Sequence, residues 1–271
     1  MEYSVLMSVY KNDNPKWLEE AIDSILNQTV KTNDFVIVKD GPVSKEIDKV
    51  LEKYRVKNKN IINIISLEKN IGLGPALKKG IIACKNEIIA RIDADDYSIP
   101  DRCEKQLKKI EENPSIDIIG SHHIEFIDRI DNIVTIKKLP IEHKEIIKYA
   151  RRRNPFSHSS VMYKKSKVLE SGNYRSYYLC EDYDLWIRMI EHGAKCYNID
   201  EALSYVRVSS DLYKRRGGVK YLKSLLKFKK EQYKKGFYSS TDFIVSSTSH
   251  IIVCLMPTFM RKIVYEKLLR G

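Results

Sequence analysis

The chain has 271 residues, 43% of them hydrophobic and 31% charged, with eleven glycines and eight prolines, proportions that exclude a disordered or fibrous protein. Its five cysteines are scattered and form no Cys-x-x-Cys pair, which argues against a disulfide framework or a zinc site and fits a reducing cytosol. The net charge of +12 is unevenly placed: residues 211–271 hold fourteen Lys and Arg against four Asp and Glu, whereas the first 210 residues are nearly balanced. A block of one sign points to an anionic partner, either a membrane surface or a nucleic acid. The start of the chain lacks the basic, apolar pattern of a signal peptide.

Short apolar runs alternate with helical patterns through the first hundred residues. Ser4–Val9 reads as a strand and Pro15–Asn27 as a helix with Trp17, Leu18, Ala21, Ile22 and Ile25 on one face. Phe35–Val38 is a second strand, followed by a helix over 44–57, a third strand over Ile61–Ile65 and a helix from Pro75 to about Cys84. Ile88–Ile92 is a fourth strand, and Pro100 opens a helix ending near Asn113. This alternation predicts an α/β fold with a parallel sheet covered on both faces, whose ligands collect at the carboxyl ends of the strands. The middle is less regular, with strands at Ile116–Gly120, His123–Ile127, Val134–Lys137 and Leu203–Val208, and helices at 143–152 and 183–192. From Asp211 onward the pattern is helical and basic.

Three acidic clusters fall where strands should end. Lys39-Asp40-Gly41 follows the second strand, and its carboxylate could accept from the imide of a uracil, or simply belong to an Asp-Gly turn. Asp93-Ala94-Asp95-Asp96 follows the fourth strand. Three carboxylates within four residues repel one another, a cost that a hard cation such as Mn²⁺ or Mg²⁺ removes while it shares phosphate oxygens. Glu181-Asp182 leads into a helix, where acids are favoured by the dipole alone. A carboxylate there facing the second cluster could serve as a general base. Asn70-Ile71-Gly72-Leu73-Gly74-Pro75 lets the backbone approach a phosphate, yet it is neither a dinucleotide fingerprint nor a Walker loop.

In this order these pieces resemble family 2 glycosyltransferases of the GT-A fold, closest to the amylovoran-type enzymes that build bacterial capsule and exopolysaccharide. That resemblance implies a Rossmann-like mixed, mostly parallel sheet flanked by helices, with a basic helical appendage. The likeness covers residues 3–210 and rests on Ser4–Tyr10, Ser24–Thr29, Asn70–Gly74, Ala90–Asp96 and Glu181–Trp186. It implies that Val9 and Tyr10 line a nucleotide pocket in which Asp40 reads uracil, with Asn70, Gly72, Asp93 and Ala94 completing the nucleotide set. Asp95 would bind the metal, Asp182 would act as general base with Glu181 beside it, and His158, Asp96 and Trp186 would lie near sugar or acceptor. The family usually carries two acids before the glycine, and Lys39 stands in place of the first.

The resemblance implies an inverting transfer from a UDP-sugar to a hydroxyl of a glycan acceptor carried on polyprenyl pyrophosphate, at the cytoplasmic face of the cell membrane. The expected division is a catalytic domain over 1–210 and a basic amphipathic tail over 211–271. That tail would lie on an anionic membrane surface or pair with a second copy; its apolar stretch, Phe243–Met260, is too interrupted to span a bilayer. A nucleotidyltransferase and a nucleic-acid-binding protein are the alternatives. The second leaves three acidic clusters that would repel phosphates, so no nucleic acid is expected.

Overall fold

The computed structural model describes residues 1–209 and 215–264, without the side chain of residue 262. In chain order the elements are β1 (Tyr3–Val9), α1 (Pro15–Leu26), β2 (Asp34–Lys39), α2 (Lys45–Lys57), β3 (Ile62–Ser66), α3 (Leu73–Ala83), β4 (Ile88–Arg91), β5 (Tyr97–Ser98) and α4 (Arg102–Glu112). There follow β6 (Ile116–Phe126), β7 (Ile133–Lys137), α5 (His143–Ala150), a 3₁₀ turn at His158–Ser160, β8 (Met162–Lys164), α6 (Lys165–Glu170), α7 (Glu181–Glu191) and β9 (Lys195–Arg207). The described tail forms α8 (Gly218–Lys234), α9 (Ser240–Leu255) and α10 (Thr258–Val264). Asp211–Lys214 and the chain beyond 264, both assigned to the basic tail, lie outside the described residues.

One mixed sheet runs in the order β3-β2-β1-β4-β8-β6-β9-β5, with β7 paired to β6. The first four strands are parallel, as the alternating pattern predicts. Strand alternation sorts the core onto two faces. Tyr3, Val5, Met7, Val9, Phe35 and Ile37 face α1, α2 and α4, whereas Leu6, Val36 and Val38 face α3 and α7. The Asn14 side chain caps α1 by accepting from the amides of Lys16 and Trp17, and Pro15 occupies the first turn, where its missing N–H costs nothing.

Beyond β4 the sheet becomes mixed, as the GT-A resemblance implies. The short strand β8 inserts antiparallel between β4 and β6. The two strands expected over Ile116–Ile127 are one, bent by register shifts at Ser121–His122 against β9. That irregularity breaks the period-2 pattern, which is why the sequence reads as two pieces. β9 also begins at Lys195, well before the expected Leu203, because its polar Asp200-Glu201 segment masks a continuous strand. The helix α7 starts at Glu181, two residues early, with Glu181, Asp182 and Asp184 in its first turn.

The apolar stripe of α8 is not free. Tyr221, Leu225 and Phe228 pack with Tyr183 and Ile187 of α7, together with Tyr238 and Cys254. The basic face of α8 stays outward, with Lys220, Lys223, Lys227, Lys230 and Lys234 exposed.

Candidate active site

β1, β2 and β4 are neighbouring parallel strands, so the segments after them emerge at one edge of the sheet. After β4 the chain is held by Arg91, which is fully buried, with its guanidinium 2.5 Å from the Asp93 carboxylate. Ser159 fixes the other side of Asp93: its hydroxyl donates to the carboxylate at 2.9 Å and accepts from the Asp93 amide at 2.9 Å. Burial alone would raise the Asp93 carboxyl, but Arg91 holds it below its ordinary value.

The neighbouring carboxyl groups move the other way. Asp95 is pushed up to about 6 by burial and by Asp93, and Asp96 well above its usual range by burial and by both neighbours. Asp13, in the turn after β1, is pushed up to about 7 by burial, with Asp95 and Asp93 adding to it. This is negative charge that a cation would stabilise, and carboxylate oxygens are the ligands a hard divalent ion prefers. The residues therefore fit such an ion. Among the described residues no three His, Cys, Asp or Glu form a complete metal cage.

A cavity of about 610 Å³ opens beside this cluster, lined at one end by Asp93, Asp96, His158, Ser159 and Asp182. Asp182 sits in the first turn of α7 and accepts a 2.6 Å hydrogen bond from the Asn154 side chain. Its carboxyl is raised, chiefly by burial, with Asp93 adding to the shift. A carboxylate held near other acids in a partly dry wall is a stronger base than one in water.

Several expected positions are placed differently. Asp40 is buried, and its two carboxylate oxygens accept from the amides of Ile71 at 2.7 Å and Gly72 at 3.0 Å. These bonds shape the Asn70–Gly72 loop. Asn70 returns a bond from its side chain to the Asp40 carbonyl, and Gly72 takes the positive φ of 93° that this loop needs. Val9 and Ala94 are core residues, and the Val9 carbonyl accepts from the Asp40 amide. Tyr10 is exposed beside Asp13, whose carboxylate accepts from its amide. Asp95 lies outside the cavity wall, toward Tyr10 and Asp13, whose carboxyl its charge raises. Asp96 lines the cavity, yet it also accepts from the Arg207 amide and ties β9 to the site.

Trp186 is fully buried and packs edge-on against Phe156 and His158, so the aromatic face expected near a sugar belongs to the core. His158 does line the cavity, but it is bonded to the Tyr174 hydroxyl at 2.9 Å, and burial drives it well below its usual value, so it stays neutral. Glu181 turns away from the cavity, its Cβ against Gly74, and burial with Asp182 pushes its carboxyl up to about 8. Of the two carboxylates, Asp182 is the one that lines the cavity. Sequence reasoning passed over Asp13, Arg91 and the arginines 152, 153 and 216 of the far cavity wall. For Asp13 the only signal was its position just past a strand end, and for Arg91 a lone charge inside an apolar strand.

The family model for glycosyl transferase family 2 matches residues 4–171. This chain belongs to glycosyl transferase family 2. The transferase is 36% identical over 271 residues to the UDP-Gal:alpha-D-GlcNAc-diphosphoundecaprenol beta-1,3-galactosyltransferase of Escherichia coli, across 99% of this chain and 97% of that one. It is 35% identical to the amylovoran biosynthesis glycosyltransferase AmsE of Erwinia amylovora, across 99% of this chain and 100% of that one. Among solved structures it is similar to S. aureus TarS 1–349 in complex with UDP-GlcNAc, with a TM-score of 0.64 at 16% identity over 100% of this chain and 72% of that chain. The mannosyltransferase PcManGT of Pyrobaculum calidifontis, in complex with GDP-Man and Mn²⁺, gives 0.66 at 12% identity over 94% and 70%. These two likenesses establish the GT-A fold of the transferase.

Proposed function

We propose that the transferase moves a sugar from a UDP-sugar to a hydroxyl of a lipid-linked glycan, with inversion at the anomeric carbon. The observation that carries this reading is Asp182, held by Asn154 in the cavity wall that it shares with Asp93 and Asp96. Asp182 takes the proton of the acceptor hydroxyl as its oxygen forms a bond to the anomeric carbon. The bond from that carbon to the departing diphosphate oxygen breaks on the opposite side. One protein carboxylate at the sugar suffices for a single displacement. Asp95, with Asp93 and Asp13 nearby, would hold Mn²⁺ or Mg²⁺, whose charge offsets that of the leaving diphosphate. Asp40 supports donor binding indirectly, by fixing the Asn70–Gly72 amides near the nucleotide.

A UDP donor and a diphosphate-linked lipid acceptor are supported by the Escherichia coli relative, which is named for both. A peripheral position on the inner face of the cell membrane is supported by the tail. Residues 243–260 contain no Asp, Glu, Lys or Arg, and Ile244, Ile252, Leu255, Phe259 and Ile263 are exposed on α9 and α10. The helix α8, with its exposed lysines, packs against α9, a combination suited to an anionic interface. No helix among the described residues is long and apolar enough to cross a membrane.

The test is Mn²⁺-dependent release of UDP from a panel of UDP-sugars, with and without a sugar–diphosphate–alkyl acceptor. Asp182→Asn is expected to keep UDP affinity while transfer falls by about 10²–10⁴-fold, and Asp95→Ala to lose metal dependence. Near-normal transfer by Asp182→Asn would overturn the base assignment.

A further inference from the structure

The cavity that holds Asp182 continues past it, between the segment after α5 and the tail helices, and its two ends carry opposite charge. Near β4 the wall carries Asp93, Asp96 and Asp182, with Arg207 beside Asp96. Toward the tail helices it is formed by Arg152, Arg153, Arg216 and His250, with Arg216 near enough to Asp182 to offset part of the rise that burial causes in its carboxyl. Arg152 is tied to Asp242 at 3.2 Å. Behind this wall Lys229 is fully buried, and its amino group has no hydrogen-bond partner among the described residues. The charges act together on His250, which is pushed down to about 4 by burial and then by Lys229, Arg153 and Arg216. Ser246 also lines this end, with a buried hydroxyl that lacks a hydrogen-bond partner among the described residues.

We propose that this basic end is the subsite for the diphosphate of the acceptor, held by Arg153 and Arg216 with the hydroxyl of Ser246. The assignment rests on the transfer reading above and names the acceptor's anchoring group. In the transfer reading the donor takes the Asp93 end, so a second anion is drawn to the arginines, which orients the acceptor with its sugar toward Asp182. The lipid follows from the rest of the wall. Leu179, Tyr221, Leu225, Val245 and Val253 line the same end and offer hydrocarbon contact next to the arginines. Val245 and Val253 belong to α9, whose neighbouring surface is the exposed apolar patch of Ile244, Ile252 and Leu255. One helix thus contributes to both the cavity wall and the greasy outer surface, so an alkyl chain leaving the diphosphate has an apolar path toward a bilayer.

The test titrates dodecyl diphosphate, dodecyl phosphate and inorganic pyrophosphate into the full, UDP-saturated chain by calorimetry. Dodecyl diphosphate is expected to bind at least about tenfold more tightly than either of the others, since each charge-assisted phosphate bond and the alkyl contact contribute at that scale. Arg153→Ala with Arg216→Ala should weaken it by a further order of magnitude, the paired Lys substitutions should retain most of the affinity, and UDP titration should not change. Equal binding of pyrophosphate would remove the lipid from the assignment. Unchanged binding by the double Ala variant, or a parallel loss of UDP affinity, would overturn it. Release of UDP from the UDP-sugar with a sugar–diphosphate–alkyl acceptor, whose hydroxyl takes the sugar, tests the transfer reading separately. Failure of that release with dodecyl diphosphate binding intact would count against transfer alone.

Discussion

Substituting Asp93→Asn separates what this carboxylate does for the fold from what it does for the chemistry. Arg91 has no solvent exposure, and apart from Asp93 its guanidinium has no hydrogen-bond acceptor among the described residues. Removing one partner of a buried ion pair costs about 3–5 kcal/mol. The Asp93 side chain is 34% exposed and water screens it, so the lower end of that range, about 3 kcal/mol, is expected. Against a total stability of about 5–15 kcal/mol, such a loss consumes a large share. The Ser159 bonds can persist with Asn, so the loss isolates the charge. Arg91→Met combined with Asp93→Asn removes both charges and is expected to recover most of the stability without recovering transfer. The assay is urea unfolding of the chain without donor or metal, followed by fluorescence. A single variant within about 1 kcal/mol of the parent, or a double variant no better than the single, would refute the argument that this pair holds the strand end in place.

Three further outcomes follow from the same geometry. Glu181 is protonated at neutral pH, because its folded value is raised from 4.5 to about 8. Its contribution is therefore fully present below 4.5 and is lost as pH rises through about 8. Glu181→Gln should flatten that decline in urea midpoints, and a decline of unchanged slope would count against it. Asp40→Ala leaves the Ile71 and Gly72 amides without their acceptor, and each lost bond to a charged group is worth about 1.5–3 kcal/mol. Stability should fall and the KM for donor rise, while unchanged values in both would show that the loop holds itself. Leu255→Ser with Phe259→Ser should cut co-sedimentation with anionic vesicles by tenfold or more, since each exposed side chain buried in lipid contributes about 1.5–3 kcal/mol. Equal sedimentation would move the contact to the lysines of α8.

How much was legible in the sequence depended on whether the signal was local. Strands β1 to β4 and their helices were readable because the odd and even residues of each strand face different helices and each helix keeps an apolar stripe. Asp93, Asp95 and Asp182 stood out for a related reason: strand ends and helix starts place side chains at predictable edges. Nothing local separates the two carboxylates of Glu181-Asp182, however. One residue of helical rotation turns Glu181 against Gly74 and Asp182 into the cavity. Nor does an Asp-Gly turn reveal that its carboxylate will be used by amides thirty residues on. β8 was missed because three residues carry no period, and its place between β4 and β6 is decided by the edges it satisfies. The basic end of the cavity lies furthest from the sequence. Arg153, Arg216 and His250 come from three separate segments, and only packing of the tail on α7 brings their charges to one wall.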